Sequence, residues 1–397
     1  MAKMKRILVV DDDPNTLASL QRVLRPLRKE WDMVFLESPH EALERMDQEP
    51  FQIVMTDLTM RGMDGPDFLR LVKEAHPGTV RLVLSGASDE ERMVRCLGVS
   101  HQFIAKPCDP EFLKSVIIHS GTLAENFTNE EVSAFVAGIT CLPALPAMYQ
   151  EVCTLLESDE ATPENLARLI ERDPGMTSTI LRVVNSPYFG RPRKVVSMAE
   201  AAFFMGTESI KALILHAGLF REVGPFESTP FNVKHLWAHS VEVAAAARKI
   251  AALEGASPSV QDCSFTGGLL HDVGILLLAS RFPEEYQKVD QCIQDQGVTL
   301  SVAEHEVFGV THGDVGAFLL GLWALPQEVI GPVAWHHVPN FESAKGFTPT
   351  LAVHGADVLA GKQGYHPIFG TANLDELYIK AIGLGASPAR WKSAVEE

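Results

Sequence analysis

Along the first 120 residues, short apolar runs alternate with stretches whose apolar residues recur at helical spacing. The runs are KRILVV (5–10), MVFLE (33–37), FQIVMTD (51–57), RLVLSG (81–86) and QFIAKP (102–107). Between them lie NTLASLQRVLRPL, HEALERMDQE, PDFLRLVKEAH and DEERMVRCLG, with apolar residues three and four apart, so that one face of each can be buried. Strands alternating with helices predict a doubly wound α/β fold, a five-stranded parallel sheet with helices on both faces. From 138 to 397 no convincing strand alternation is found. PENLARLIERD, MTSTILRVVNSPYFG and MAEAAFFMGTESIKALILHAGLF all have a helical pattern, which predicts an all-α domain with helices of about 10–20 residues. Residues 121–137, GTLAENFTNEEVSAFVA, read as a helical connector. The expected division is an α/β domain over 1–122, a connector over 123–137 and an all-α domain over 138–397. A chain of 397 residues has room for it at about 100–200 residues per domain.

Composition sharpens this picture. A hydrophobic content of 46 % is enough for sizeable cores. The net charge of −17 is unevenly spread: residues 1–120 carry 16 basic and 19 acidic residues, the remainder 18 and 32. An acidic second part repels a phosphate backbone, and the short basic patch Arg191, Arg193, Lys194 is too small to reverse that. With no helix-turn-helix or basic reading helix in view, no specific DNA binding is expected. The cysteines Cys96, Cys108, Cys141, Cys153, Cys263 and Cys292 form no CxxC pair and no disulfide framework. The start, MAKMKRILVVDDDP, is not a signal peptide, and no apolar run is expected to reach the ~20 residues needed to span a bilayer. A cytoplasmic protein with reduced thiols and no membrane association is the expectation.

In a parallel sheet the functional groups gather beyond the carboxyl ends of the strands. Those ends carry Asp11, Asp12, Asp57, Ser85 and Lys106. Clustered carboxylates repel one another unless a cation sits among them, and hard oxygen ligands suit Mg²⁺. A lysine and a hydroxyl beside them could hold phosphoryl oxygens, so the implied chemistry is phosphoryl transfer to a carboxylate. A single Asp would read as a solvated strand end; five suitable residues at four strand ends do not.

This stretch, residues 4–120, resembles the receiver domain of two-component response regulators. VVDDD supplies the acidic pair Asp11 and Asp12, VMTDLTM the phospho-acceptor Asp57, LVLSG the switch hydroxyl Ser85 and FIAKP the lysine Lys106. The resemblance implies Mg²⁺ held by Asp11, Asp12, Asp57 and the Thr59 carbonyl, with Phe103 in the aromatic switch position that turns inward with Ser85. It implies a sensor histidine kinase as phosphodonor, and an output face built from the helical stretches near 88–98 and 108–120. DGPDFL (64–69) matches the loop and helix after the acceptor, although Arg61 stands where a proline is usual.

The second part resembles the HDOD domain, a helical signalling module related to HD-type phosphohydrolases. LPALP (142–146), IERDPGMTSTILRVVNS (170–186), SMAEAAFFMG (197–206), GGLLHDVG (267–274) and HGDVGAFLLGLWALP (312–326) carry the resemblance, from about 138 to 340. Asn185 and Ser186 end a helix before Pro187, as good turn formers do, and no chemistry is assigned to them.

His271 and Asp272 stand inside an apolar run, where a charged group is costly without a partner. The hydrolase ligand order of a His, then His-Asp, then further His residues and a late Asp is met by His239, His271, Asp272, His312, His336, His337 and Asp357. His235, one helical turn before His239, could face the same site. Such a set could hold one or two transition ions, Fe, Mn or Zn, with Asp272 the natural bridge. Two ions about 3.5–4 Å apart would position a hydroxide against a phosphodiester. A lone His on a helix is more often packed or solvent-touching, and His235, His305 and His354 read that way. The cyclic-dinucleotide hydrolases follow His-Asp with Ile-Gly-Lys; here Val273-Gly274-Ile275 replaces the cation with an apolar residue, and the Gly-Tyr-Pro stretch is absent.

The expected function is therefore a bacterial response regulator whose phosphorylation changes the docking of an HDOD output domain with a protein partner or with itself as a homodimer. Two classes stay open for the output: an adapter that only binds, and a phosphorylation-gated metal-dependent phosphohydrolase acting on a nucleotide or cyclic dinucleotide.

Overall fold

The computed structural model describes residues 4–85, 92, 95, 96, 99–106, 108, 110, 111, 113, 114, 116–118, 130–139, 151, 152, 154–156, 158, 160–185, 193–216, 233–323, 325–341, 346–360, 373–385 and 387–396. Strands β1 (Lys5–Val10), β2 (Trp31–Leu36), β3 (Ile53–Asp57), β4 (Val80–Ser85) and β5 (Gln102–Ala105) form one parallel sheet in the order β2-β1-β3-β4-β5. Ile7, Leu8, Val9 and Val10 are all buried, as a strand covered on both faces requires. β2 begins two residues before the apolar run because Trp31 pairs with Lys5. Helices α1 (Pro14–Leu24), α2 (Pro39–Gln48) and α3 (Gly65–Ala75) start at side-chain caps, Asp13, Ser38 and Asp64, each with a proline in the first turn. The expected helical stretches near 88–98 and 108–120 lie partly outside the described residues.

The second part has no strand among its described residues. It comprises α4 (Glu130–Gly138), α5 (Pro163–Ile170), α6 (Pro174–Val184), α7 (Met198–His216), α8 (Val233–Leu253), α9 (Pro258–Leu270), α10 (Val273–Arg281), α11 (Pro283–Gln296) and α12 (Leu300–Phe308). It continues with α13 (His312–Leu322), α14 (Gln327–Trp335), α15 (Pro349–Ala360), α16 (Glu376–Ala381) and α17 (Ser387–Glu396). LPALP (142–146) and Ser186 lie outside the described residues. The purpose of Asn185 is visible: its side-chain amide donates to the Val195 carbonyl at 2.8 Å and accepts from the Val195 N–H at 2.7 Å. It is a clamp on the chain ten residues on.

One expectation needs correction. The stretch Pro258–Arg281, 24 residues, is long and apolar enough to cross a membrane by length and composition. Its apolar character serves the core instead: 89 % of its most apolar window is buried within the protein, and His271 and Asp272 interrupt it between α9 and α10.

The two parts meet at the amino ends of β4 and β5, opposite the acidic strand ends. Arg81 is fully buried and donates to the carbonyls of Val99 (2.6 Å), Thr79 (2.8 Å), Pro77 (3.1 Å) and, on α4, Ala137 (3.4 Å). Burial, with no carboxylate among these partners, pushes the Arg81 pKa down to about 9. His101 accepts the Arg81 backbone N–H at Nδ1 and donates from Nε2 to the same Ala137 carbonyl at 2.6 Å. One residue away, Arg182 of α6 donates to the Ser100 carbonyl at 3.4 Å and lies over the Trp323 ring.

Arg81→Met is therefore expected to leave buried carbonyls short of a donor and to lower stability by about 2–4 kcal/mol in urea unfolding. The solvent-exposed control Arg22→Met should change it by less than about 0.5 kcal/mol. Equal midpoints for the two variants would contradict the role of the Arg81 joint.

Candidate functional site

Two clusters of chemically active side chains stand out. The first lies at the carboxyl ends of the strands. Asp11 follows β1, Asp57 ends β3 and Lys106 follows β5. The Lys106 ammonium sits between two carboxylates, 2.7 Å from Asp11 Oδ2 and 2.6 Å from Asp57 Oδ1. Burial works against the charged ammonium, but its hydrogen bonds to Asp11 and Asp57 outweigh it and hold the Lys106 pKa above its ordinary value. Burial likewise raises the pKa of Asp11 against the pull of Lys106. Asp12 is turned toward Arg61, whose backbone N–H donates to it at 3.1 Å, and the Thr59 N–H reaches Asp57 Oδ2 at 3.3 Å. Gly65, at the start of α3, is pressed against the backbone of this site: a Cβ there would overlap the Asp57 carbonyl oxygen. Ser85 is the last residue of β4, opposite Ala105; its side chain lies outside the described residues. Phe103 is 5 % exposed and pairs across the sheet with Val83 of β4.

The second cluster is in the helical part. α9 ends at Leu270, and His271 and Asp272 form the link to α10. Asp272 occupies the position that would cap α10, yet its side chain makes no capping bond and turns into the interior. Gly274 permits this close packing, since a Cβ would overlap the His312 carbonyl oxygen at the start of α13. His239 comes from α8, His336 and His337 follow α14, and Asp357 comes from α15. The side chains converge. His239 Nε2 lies 3.2 Å from Asp357 and 3.7 Å from Asp272. His271 Nε2 lies 3.2 Å from Asp272 and 3.7 Å from Asp357. His312 and His336 approach Asp272 Oδ1 to 3.6 and 3.8 Å, and His337 Nδ1 is 3.9 Å from Asp357. Three sets of three ligand atoms lie within 4.8 Å of one another: His312–His336–His337, His239–His271–Asp357 and His271–Asp272–His336. All seven residues named from the sequence are brought together.

Hydrogen bonds outside the cluster orient the rings. A carbonyl oxygen can only accept, so it fixes the proton on the nitrogen that meets it. His271 donates from Nδ1 to the Gly268 carbonyl at 2.7 Å, and His336 from Nδ1 to the Val333 carbonyl at 3.0 Å. His312 Nδ1 meets the Glu304 carboxylate at 2.6 Å. The three Nε2 atoms therefore point inward. His312 Nε2 is 3.2 Å from His336 Nε2 and 3.1 Å from His337 Nε2.

His235 does not join. It is exposed and belongs to none of the close sets, because four residues along α8 carry it about 6 Å up the helix axis. His305 is exposed, and His354 is buried between the His336 carbonyl (2.6 Å) and the Asp375 N–H (3.0 Å), so both behave as expected. Sequence reading missed Glu304 and Tyr286. Nothing in SVAEHEVFG separates Glu304 from its solvent-facing neighbours except burial, which the pattern does not reveal.

Comparison with known proteins is consistent with this geometry. The family model for the response regulator receiver domain matches residues 7–118, and that for the HDOD domain matches residues 142–339. An uncharacterised protein of Treponema pallidum is 26 % identical over 210 residues, 53 % of this chain and 40 % of its own length. The hydrogenase transcriptional regulatory protein HoxA of Cupriavidus necator is 32 % identical over 113 residues, 28 % of this chain and 23 % of its own. The chain thus spans less than half the length of these curated relatives. The MmoQ response regulator from Methylococcus capsulatus, a crystal structure, is 30 % identical, covering 64 % of this chain and 98 % of that one with a TM-score of 0.47.

The charges of the second cluster make stability depend on pH. Burial opposes protonation of His271, but Asp272 and Asp357 outweigh it and raise its pKa to about 10. Both aspartates are held ionised by the imidazoles around them, against the effect of burial. A raised folded pKa means stability that is complete below the unfolded value of about 6.5 and lost as pH rises through about 10. With EDTA present, the melting temperature should therefore fall between pH 7 and pH 10, and Asp272→Asn should flatten that slope. An EDTA-treated wild type that melts equally at both pH values would contradict this charge balance.

Proposed function

Because a chain with a response regulator receiver domain followed by an HDOD domain belongs to the response regulators with an HDOD output, we propose that Asp57 accepts a phosphoryl group from a sensor histidine kinase. The observation that carries this reading is the Lys106 ammonium shared between Asp11 and Asp57. The Asp57 carboxylate attacks phosphorus, the phosphorus–nitrogen bond of the donor phosphohistidine breaks, and Lys106 offsets charge on the phosphoryl oxygens. Asp11, Asp12, Asp57 and the Thr59 carbonyl are the residues that would hold Mg²⁺, which supplies further charge neutralisation there. Ser85 and Lys106 engage the phosphoryl group, and Phe103 stays in its buried position. β4 and β5 are also the strands whose opposite ends meet the connector. From Ser85 to Arg81 is about 13 Å along β4, so a small displacement of these strands reaches Ala137 and, through Ser100, Arg182. The output is a change in how the HDOD domain docks with a protein partner or a second copy, in a cytoplasmic setting. The working limits are 1–122, 123–137 and 138–397.

The histidine–aspartate centre of the HDOD domain would hold one or two transition ions, Fe, Mn or Zn. Converging Nε2 lone pairs, and a buried His271 Nε2 that makes no hydrogen bond, are the features that suit such an ion. Asp272 lies within 3.8 Å of four imidazoles and would be one of the residues to hold it. The centre is closed, with His337 the most accessible of its side chains at 25 %. Ile275, where the hydrolases carry lysine, is buried in the apolar core. Closed sites stabilise folds, whereas catalytic sites keep an open position. An adapter with a structural metal centre is thus favoured over a phosphohydrolase.

Acetyl phosphate with Mg²⁺ is expected to add one phosphoryl group by mass, and Asp57→Asn to abolish the addition. Lys106→Ala should still accept it, while hydrogen exchange in Glu130–Gly138 no longer responds. Labelling of the Asn variant at the wild-type level would refute the acceptor. For the centre, elemental analysis of protein purified without added metal should find at least one equivalent of Fe, Mn or Zn, lost in Asp272→Ala. Equal metal content in the two proteins would refute Asp272 as a ligand.

A further inference from the structure

Resting on the reading of the histidine–aspartate centre as a metal site, we infer that Glu304, held in turn by Tyr286, is a positioning residue that aims His312 at the ion. Glu304 lies on α12, fully buried, and contributes no atom to the close ligand sets. Its two oxygens divide the work. Oε2 accepts both the His312 backbone N–H at 2.8 Å and the His312 Nδ1 proton at 2.6 Å. Oε1 accepts the Tyr286 hydroxyl from α11 at 2.9 Å.

The pair of bonds from one carboxylate oxygen fixes both the first residue of α13 and its ring. With the Nδ1 proton committed to Glu304, the Nε2 lone pair of His312 is left facing His336 and His337. A carboxylate behind a ligating imidazole also makes the ring a stronger donor than a backbone carbonyl does. His271 and His336 have only carbonyls behind them, so His312 is the ring set apart in the centre. Tyr286 is fully buried, and burial together with the Glu304 charge keeps its hydroxyl protonated far above the ordinary range, so it remains a donor. Without Tyr286, Oε1 would face the interior with one bond fewer.

A purely structural role predicts something different. Glu304 also places negative charge at the amino end of α13, which would stabilise that helix whatever the ring does. The isosteric Glu304→Gln keeps an oxygen for the backbone N–H but removes the charge behind the ring. Two readouts on the full chain separate the roles. One is Zn²⁺ affinity by chelator competition. The other is the downfield proton resonance of the His312 Nδ1–H bond, assigned by its loss in His312→Gln and recorded without metal. Wild type is expected to bind Zn²⁺ and to show the resonance. Glu304→Gln should lose the resonance and bind Zn²⁺ about 10–100-fold more weakly, with Tyr286→Phe intermediate. Wild-type Zn²⁺ affinity in Glu304→Gln, or an unchanged resonance, overturns the inference while leaving the metal reading intact. A wild-type chain that shows the resonance but takes up no Zn²⁺ overturns the metal reading and upholds the orientation of His312 by Glu304.

Discussion

Two carboxylates, Asp272 and Asp357, are buried in an apolar helical core, and much of the second half of the molecule is arranged to make that tolerable. Leaving a buried charge unpaired costs several kcal/mol, so each must be met by positive charge or by hydrogen bonds. The chain meets them with imidazoles drawn from α8, the α9–α10 link, α13 and the end of α14. That demand explains why His-Asp interrupts Pro258–Arg281, why Asp272 gives up capping α10, and why Gly274 is needed where α10 crosses the start of α13. A metal and a set of protons are alternative ways of balancing the same charges. The outward bonds of His271, His312 and His336 leave their Nε2 atoms facing the centre, where a proton or a metal would sit.

The receiver half obeys the opposite economy. Its carboxylates Asp11, which is buried, and Asp57 sit at strand ends with the Lys106 ammonium between them. A second buried charge is Arg81, at the far end of the sheet, satisfied largely by carbonyls and shared with the connector. The sheet thus carries the Lys106 cluster at one end and a hydrogen-bonded joint with the connector at the other.

Much of this was legible from sequence because strand ends and motif order carry it. The five apolar runs mark the five strands, and Asp11, Asp57 and Lys106 fall where parallel strands end. The seven members of the histidine–aspartate centre follow from their order along the chain. What was not legible depends on tertiary burial. Glu304 looks like any polar position on a short helix, Tyr286 like any core aromatic, and Arg81 like an ordinary strand residue. His235 shares the i, i+4 spacing that suggested a ligand, but spacing fixes a face and not a depth along the axis. Asn185 was seen as a helix stop; its clamp on Val195 needed coordinates.

The central claim, that the buried aspartates are balanced by a metal ion, is tested most directly by anomalous diffraction from crystals of the full chain grown without added metal. The account predicts an anomalous peak about 2.0–2.3 Å from Asp272 and from inward-facing Nε2 atoms of the surrounding histidines. A map without a peak there, with Asp272 hydrogen-bonded to a protonated His271, would contradict it.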